Sequence, residues 1–192
     1  MSDTRLFFAA MPPPVTVAAI AARLAEHGLD RWLGEALFAP ENWHQSLSER
    51  VYNPTRADIA LLRGVGERVA AHACTLRYNR ISSSVTPKGR IYVTLQARGR
   101  PPEFLALSDA VRECLRDAGY EAIATGVTPH TTLSYGAPGR IERIELDTPL
   151  HWTIDALLLL VHGNGRPYRY DVIDRWPLLP ERDPVIPQIG LF

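Results

Sequence analysis

Lysine is nearly missing from this chain: Lys88 stands alone beside twenty arginines. That bias also follows from genome composition, so it carries little chemical weight. Cysteine is scarce too, with only Cys74 and Cys114, and neither sits in a CxxC pattern. Spacings for a structural zinc or a redox pair are therefore lacking, and two free thiols in a reducing compartment are expected. No apolar run approaches the roughly 18 residues that cross a bilayer. The longest, Ala156 to Val161, has only the length of a strand. The apolar stretch Leu6 to Ala10 is too short for a signal-peptide core and runs into Pro12-Pro13-Pro14. The expectation is a soluble, cytoplasmic protein with no membrane association. Net charge is zero, which removes any global attraction to nucleic acid. HExxH, GxGxxG and GxxxxGK[ST] are all absent, so zinc-hydrolase, dinucleotide and P-loop readings have no support. Gly64-Val65-Gly66 falls within a helical pattern, and Ser82-Ser83-Ser84 lacks the GxSxG context of a nucleophile elbow.

What is present is an ordinary globular composition, 46% hydrophobic and 22% charged over 192 residues. That length suits one well-packed domain over 1–192, or two small lobes sharing a core. Charge is unevenly placed. From Arg68 to Pro102 there are seven basic residues (Arg68, Arg77, Arg80, Lys88, Arg90, Arg98, Arg100) and no acidic one. Such a stretch either contacts phosphate or lines a solvated sheet edge, where positive charge discourages edge pairing.

Hydrophobic periodicity orders the chain. Leu6 to Ala10 reads as a buried strand. Pro12-Pro13-Pro14 opens a helix carrying Val17, Ile20, Ala21 and Leu24, stopped at Gly28. Residues 29–42 look irregular, and Trp43 to Leu47 follows as a short strand. Thr55 with Asp58 marks a helix start. Thr75 to Val85 and Arg90 to Ala97 read as strands around the turn Thr86-Pro87-Lys88-Gly89. A helix from Pro101-Pro102 shows one face through Phe104, Leu107, Val111, Cys114, Leu115 and Ala118, and ends at Gly119. The strand His130 to Ser134 follows. Two closing strands are expected at about Trp152 to His162 and Tyr168 to Arg175, joined by Gly163-Asn164-Gly165. The proline-bearing tail after Trp176 is expected to run extended.

This order repeats. Phe7 precedes His44 by 37 residues, and Val93 precedes His130 by the same 37, an offset of 86 between halves. Each half runs strand, proline-marked helix, glycine stop, irregular stretch, then a strand opening on histidine. Two similar lobes would face each other, with one histidine from each.

His44-Gln45-Ser46-Leu47 and His130-Thr131-Thr132-Leu133 share the pattern His-x-(Ser/Thr)-Leu. In a strand, residues i and i+2 point to one face, so imidazole and hydroxyl enter the same space while Gln45, Leu47, Thr131 and Leu133 point away. Two such strands across a cleft suit a phosphate diester. Ser46 and Thr132 can donate hydrogen bonds to non-bridging oxygens. One neutral histidine can take a proton from the attacking water, and the other, protonated, can give one to the leaving ribose oxygen. No metal or cofactor enters this scheme. The remaining histidines suit structural roles. His27 and His72 fit helix C-termini, where the dipole favours a cation, and His151 and His162 fall at strand ends.

At these residues the chain resembles the 2H phosphoesterase superfamily, in particular the LigT-like RNA 2′,3′-cyclic phosphodiesterases, often called 2′-5′ RNA ligases and marked by paired HxTx motifs. Four segments carry the resemblance: Arg5 to Ala10, Pro40 to Leu47, Thr128 to Tyr135, and Leu159 to His162 through Tyr170 to Leu178. It implies an α+β fold: bilobal, two antiparallel sheets with a pseudo-two-fold repeat around a central cleft, and helices on the outside. The motif strands would lie at about 43–47 and 130–134. It implies opening of a 2′,3′-cyclic phosphate, on an RNA end or a small cyclic nucleotide, to a 2′-phosphate by a monomer with no protein partner. His44 and His130 carry over as the acid–base pair, and Ser46 and Thr132 as phosphate binders. Two departures stand out. Motif one continues as Ser48-Glu49-Arg50 where the family runs apolar, and Tyr135 stands where several members carry a phosphate-gripping arginine. Tyr135 can still bind phosphate or stack on a base. Phe7 or Phe8 is a candidate for a base pocket, with core packing as the alternative. Two other functions share this fold: a nucleotide- or RNA-binding module without turnover, and 2′-5′ ligation.

Overall fold

The computed structural model of the chain describes residues 4–99, 101–162 and 168–182. Arg100, the Gly163-Asn164-Gly165 turn and the last ten residues of the tail lie outside the described residues. In chain order the strands are β1 (Arg5–Ala10), β2 (Gln45–Ser46), β3 (Val51–Tyr52), β4 (Cys74–Val85), β5 (Ile91–Ala97), β6 (His130–Ser134), β7 (Ile144–Ile154), β8 (Ala156–His162) and β9 (Tyr170–Pro177). The helices are α1 (Pro14–Glu26), α2 (Leu29–Leu33), α3 (Arg56–Arg68) and α4 (Pro102–Asp117).

Local chemistry sets the helix ends. Proline stands in the first turn of α1 and of α4, where its missing N–H costs nothing. Thr55 and Asp58 close a reciprocal capping box on α3. Gly28 and Gly119 follow their helices with φ of 65° and 80°, backbone that a Cβ would strain. The stretch expected to be irregular before motif one holds the short α2 and two single 3₁₀ turns.

The described strands form two antiparallel sheets, ordered β2-β1-β8-β9 (with β3 also on β1) and β6-β5-β4-β7. The fold is α+β, as expected. In each sheet the motif strand lies at an edge, antiparallel to the strand that opens its half, so the two halves repeat in topology as well as in chain order. One expectation is corrected here. The segment read as a single strand from Trp152 to His162 is two strands broken at Asp155. Ile154 pairs with Cys74 in the second sheet, whereas Leu158 pairs with Ala9 in the first. The chain crosses between the two sheets at Asp155, the one charged residue between Trp152 and Val161, which the reading as a single strand passed over. The strand from Ile144 to His151 was also unread.

One continuous apolar cluster joins both sheets and the helices. It includes Leu6, Phe8, Leu157 and Leu159 of the first sheet, Leu76, Val93 and Leu95 of the second, Ile20 and Leu24 of α1, Leu62 of α3, and Phe104 and Leu107 of α4. The other face of the first sheet buries a smaller cluster around Phe7, Leu158, Leu160 and Tyr170. The period of two divides β1 between them, with Phe8 toward the large core and Phe7 toward the opposite face. Helix α3 packs on β8 and β9, and the fit is tight at Gly66. A Cβ there would lie 2.5 Å from the Trp176 ring, which itself packs on Phe8. Gly66→Ala is expected to destabilise the fold by roughly 1–3 kcal/mol through overpacking. A denaturant midpoint equal to the wild type's would show that Trp176 yields freely.

A candidate two-histidine active site

Motif two forms the strand its sequence predicts, β6. Gln96 of β5 lies opposite His130 and Thr94 opposite Thr132. Motif one forms a shorter ladder than expected, only Gln45 and Ser46, with Ser46 opposite Ala9. Ser48 explains the early end. Its buried hydroxyl accepts the Phe8 N–H at 3.0 Å, while the Phe8 carbonyl accepts from both Leu47 and Ser48. A side chain thus replaces a ladder partner, and the strand bends away after Leu47. Two residues on, Arg50 lines the cavity.

The histidines repeat in atomic detail. His44 donates from Nδ1 to the Asn42 carbonyl at 2.7 Å. His130 donates from Nδ1 to the Thr128 carbonyl at 2.9 Å. The carbonyls obey the same 86-residue offset as the histidines. Because a carbonyl only accepts, each bond fixes the tautomer with hydrogen on Nδ1 and leaves Nε2 to accept or, when protonated, to donate.

Both histidines line one cavity of about 720 Å³, together with Ser46 and Thr132 beside them and Tyr135. That volume lies within the range of small-ligand sites. The i, i+2 pairing of imidazole and hydroxyl is therefore met at both motifs. His130 is half-buried, whereas His44 is only 8% exposed. The His44 ring sits on Phe7 and Tyr170, with centroids 5.3 and 4.9 Å away. Burial pushes the His44 pKa down to about 4, helped by the nearby Arg50 and His130 charges and opposed by the Asn42 carbonyl. His44 is thus held neutral near pH 7.

Gln45 points away from the cavity, as expected, but into the other motif. Its Oε1 accepts the His130 backbone N–H at 2.6 Å, and its Nε2 donates to the Thr128 carbonyl at 3.0 Å. Thr128 is the residue whose carbonyl orients His130. One buried amide from motif one thereby fixes the backbone of motif two. Gln45→Leu is expected to cost about 1–3 kcal/mol by stranding these partners. An unchanged unfolding midpoint would rule the clamp out.

Phe7 and Phe8 were candidates for a base pocket, and that reading is corrected. Both are fully buried, and neither lines the cavity. Phe7 instead supports the His44 ring from behind, and Phe8 belongs to the main core. The aromatic walls of the cavity are Tyr135 and Tyr92, whose ring centroids are 4.7 Å apart. The acid-free stretch divides: Arg80 lines the cavity, with Nε bonded to Gln96 at 2.7 Å, while Arg77, Lys88, Arg90 and Arg98 are exposed. Along β5, Tyr92, Thr94 and Gln96 alternate on the cavity face. Polar alternation of this kind reads from sequence as a solvent face, and so it did not mark them.

The other histidines lie away from the cavity. His27 follows the end of α1 as its cap, the position expected for it. His72 lies beyond the last turn of α3 and donates to the Pro180 carbonyl. His151 stands within β7 rather than at its end, and His162 closes β8 with its ring against Tyr168. Burial pushes the Cys74 thiol up to about 12, which suits a structural role.

No family model matches the sequence, and no curated protein does. Solved structures do. Escherichia coli LigT complexed with 3′-AMP aligns with a TM-score of 0.72 at 20% identity, over 93% of this chain and 99% of that one. LigT in its apo form aligns at 0.69 and 21% identity over the same shares. A Thermus thermophilus protein aligns at 0.66 and 20% identity, over 92% of this chain and 99% of that one. Over nearly the full length of both chains, this chain shares the fold of LigT.

Proposed function

We propose that the chain is a phosphoric diester hydrolase that opens 2′,3′-cyclic ribose phosphates to 2′-phosphomonoesters by paired-histidine acid–base catalysis. One observation carries this reading. Two histidines from repeated strands share one cavity, each with Nδ1 fixed on a backbone carbonyl and a hydroxyl two residues on. LigT has been crystallised with 3′-AMP, with phosphate, with ATP and with NADP+, which favours a phosphate-bearing nucleotide as ligand for this cleft too.

In the proposed step the diester lies between the two Nε2 atoms. Water attacks phosphorus, and one neutral imidazole takes its proton. The bond from phosphorus to the 3′-oxygen breaks, and the other imidazole, protonated, delivers a proton to that oxygen. Ser46 and Thr132 donate to non-bridging oxygens, where charge builds in the transition state. The pair still carries one proton afterwards, now on the other ring, and exchange with solvent returns it to the first. Neither histidine needs a second side chain to set its tautomer, because the Asn42 and Thr128 carbonyls do so.

The test is incubation with nucleoside 2′,3′-cyclic phosphates in a chelator, with products separated by chromatography. A 2′-monoester is expected. Tight binding without product would replace this reading with a nucleotide-binding module. Joining of a 5′-hydroxyl RNA to a cyclic-phosphate end would assign 2′-5′ ligation to the same site.

A further inference from the structure

Arg50 is the least satisfied charge at the cavity. Its side chain is only 18% exposed, yet it lines the cavity. A guanidinium offers five N–H donors and stays charged at any working pH. Among the described residues those donors find one hydrogen bond, a long one of 3.4 Å from Nη2 to the Tyr135 hydroxyl. Its Nε is buried without a partner among the described residues. The nearest carboxylate among the described residues, Glu49, is 4.0 Å away and 57% exposed, a pairing worth little. The Phe7 ring holds the guanidinium by its face, 5.1 Å from the centroid, and leaves the donor edge free. Burying a charge with open donors is costly unless an anion completes it.

From this geometry we infer that Arg50 is the anion-binding residue of the cleft and grips the non-bridging oxygens of the substrate phosphate from the lobe of motif one. The inference rests on the proposed reading of the cleft as a phosphate site. It also accounts for Tyr135. The cation is supplied from across the cleft, and the tyrosine hydroxyl meets it there. Arg80 is the contrasting case, because its Nε is already taken by Gln96. Arg50 also faces His44 closely enough to hold that imidazole toward its neutral form, so an anion bound between them would ease protonation of His44.

Inorganic phosphate is the probe, titrated calorimetrically into the wild type, Arg50→Gln, Arg50→Lys and Arg80→Gln. Arg50→Gln is expected to weaken binding roughly 10- to 100-fold, the range for hydrogen bonds to a charged group. Arg50→Lys should recover part of it, since an ammonium lacks the planar fork. Arg80→Gln should matter less. NMR titration of the His44 ring gives a second readout: its pKa should rise in Arg50→Gln with the unfolding midpoint kept, whereas misfolding would raise it only together with a lost midpoint. Phosphate binding equal in wild type and Arg50→Gln, or a larger loss in Arg80→Gln, overturns the inference. Turnover of cyclic phosphate with Arg50-independent phosphate binding removes the inference and leaves the proposed function standing. Arg50-dependent phosphate binding without turnover does the reverse.

Discussion

Replacing His44 or His130 by alanine is expected to lower turnover of a cyclic ribose phosphate by roughly 10²–10⁴-fold, the range for a positioned acid or base. The two losses should not add. Proton removal and proton delivery serve one displacement, so the double variant should fall little further than the worse single one. Stability separates the two residues. His130 is half-buried at the cavity wall, and its removal should leave the fold nearly as stable. His44 fills space between Phe7 and Tyr170, so alanine there also opens a gap in packing. His44→Gln is the cleaner variant, because it retains much of the volume. Full activity in either alanine variant would end the paired scheme.

A second large effect is expected in pH. Turnover needs one proton on the pair and one free nitrogen. The acid limb of kcat/KM should therefore report the last nitrogen to be protonated, and the low pKa of His44, about 4, places that limb well below the usual histidine range. Activity should persist through pH 5 and then fall about tenfold per pH unit once both rings are charged. It should also fall on the alkaline side, when the pair loses its single proton. These limb positions hold whichever ring delivers the proton, because both one-proton forms occupy the same window. Stability should follow the same group. In the unfolded chain a histidine protonates near 6.5, while folded His44 resists until about 4. Between these values the unfolded state binds more protons, so stability is lost as pH falls across the window, by roughly 3 kcal/mol at most. His44→Gln should flatten that slope. An acid limb near 6.5, with no His44-dependent change in stability, would show that the ring is solvated rather than buried.

Much of this site was legible because strand periodicity is strict. The rule that i and i+2 share a face placed His44 with Ser46 and His130 with Thr132, and both pairs line the cavity. The 37-residue spacing was legible for a related reason. It counts the residues from an opening strand to its antiparallel partner, and β1–β2 and β5–β6 are those partners. What stayed hidden depends on contacts between lobes. Gln45 is a plain outward-facing residue until His130 is brought beside it. Arg50 follows a short strand whose end is set by the Ser48 hydroxyl on Phe8, and no local pattern tells that it turns inward. Phe7 and Phe8 differ only in the face each takes on β1, and both faces of that strand are buried. Asp155 interrupts the apolar pattern at a single residue, which does not tell a continuing strand from a crossing, and the pairing is what divides β7 from β8.

The most direct measurement is a phosphorus NMR spectrum of a nucleoside 2′,3′-cyclic phosphate incubated with the wild-type chain, with His44→Ala and with His130→Ala at equal concentration. The cyclic resonance should give way to a monoester with the wild type and persist with both variants. A persistent cyclic resonance with the wild type, or equal conversion by all three, would contradict the assignment of this cleft to paired-histidine hydrolysis.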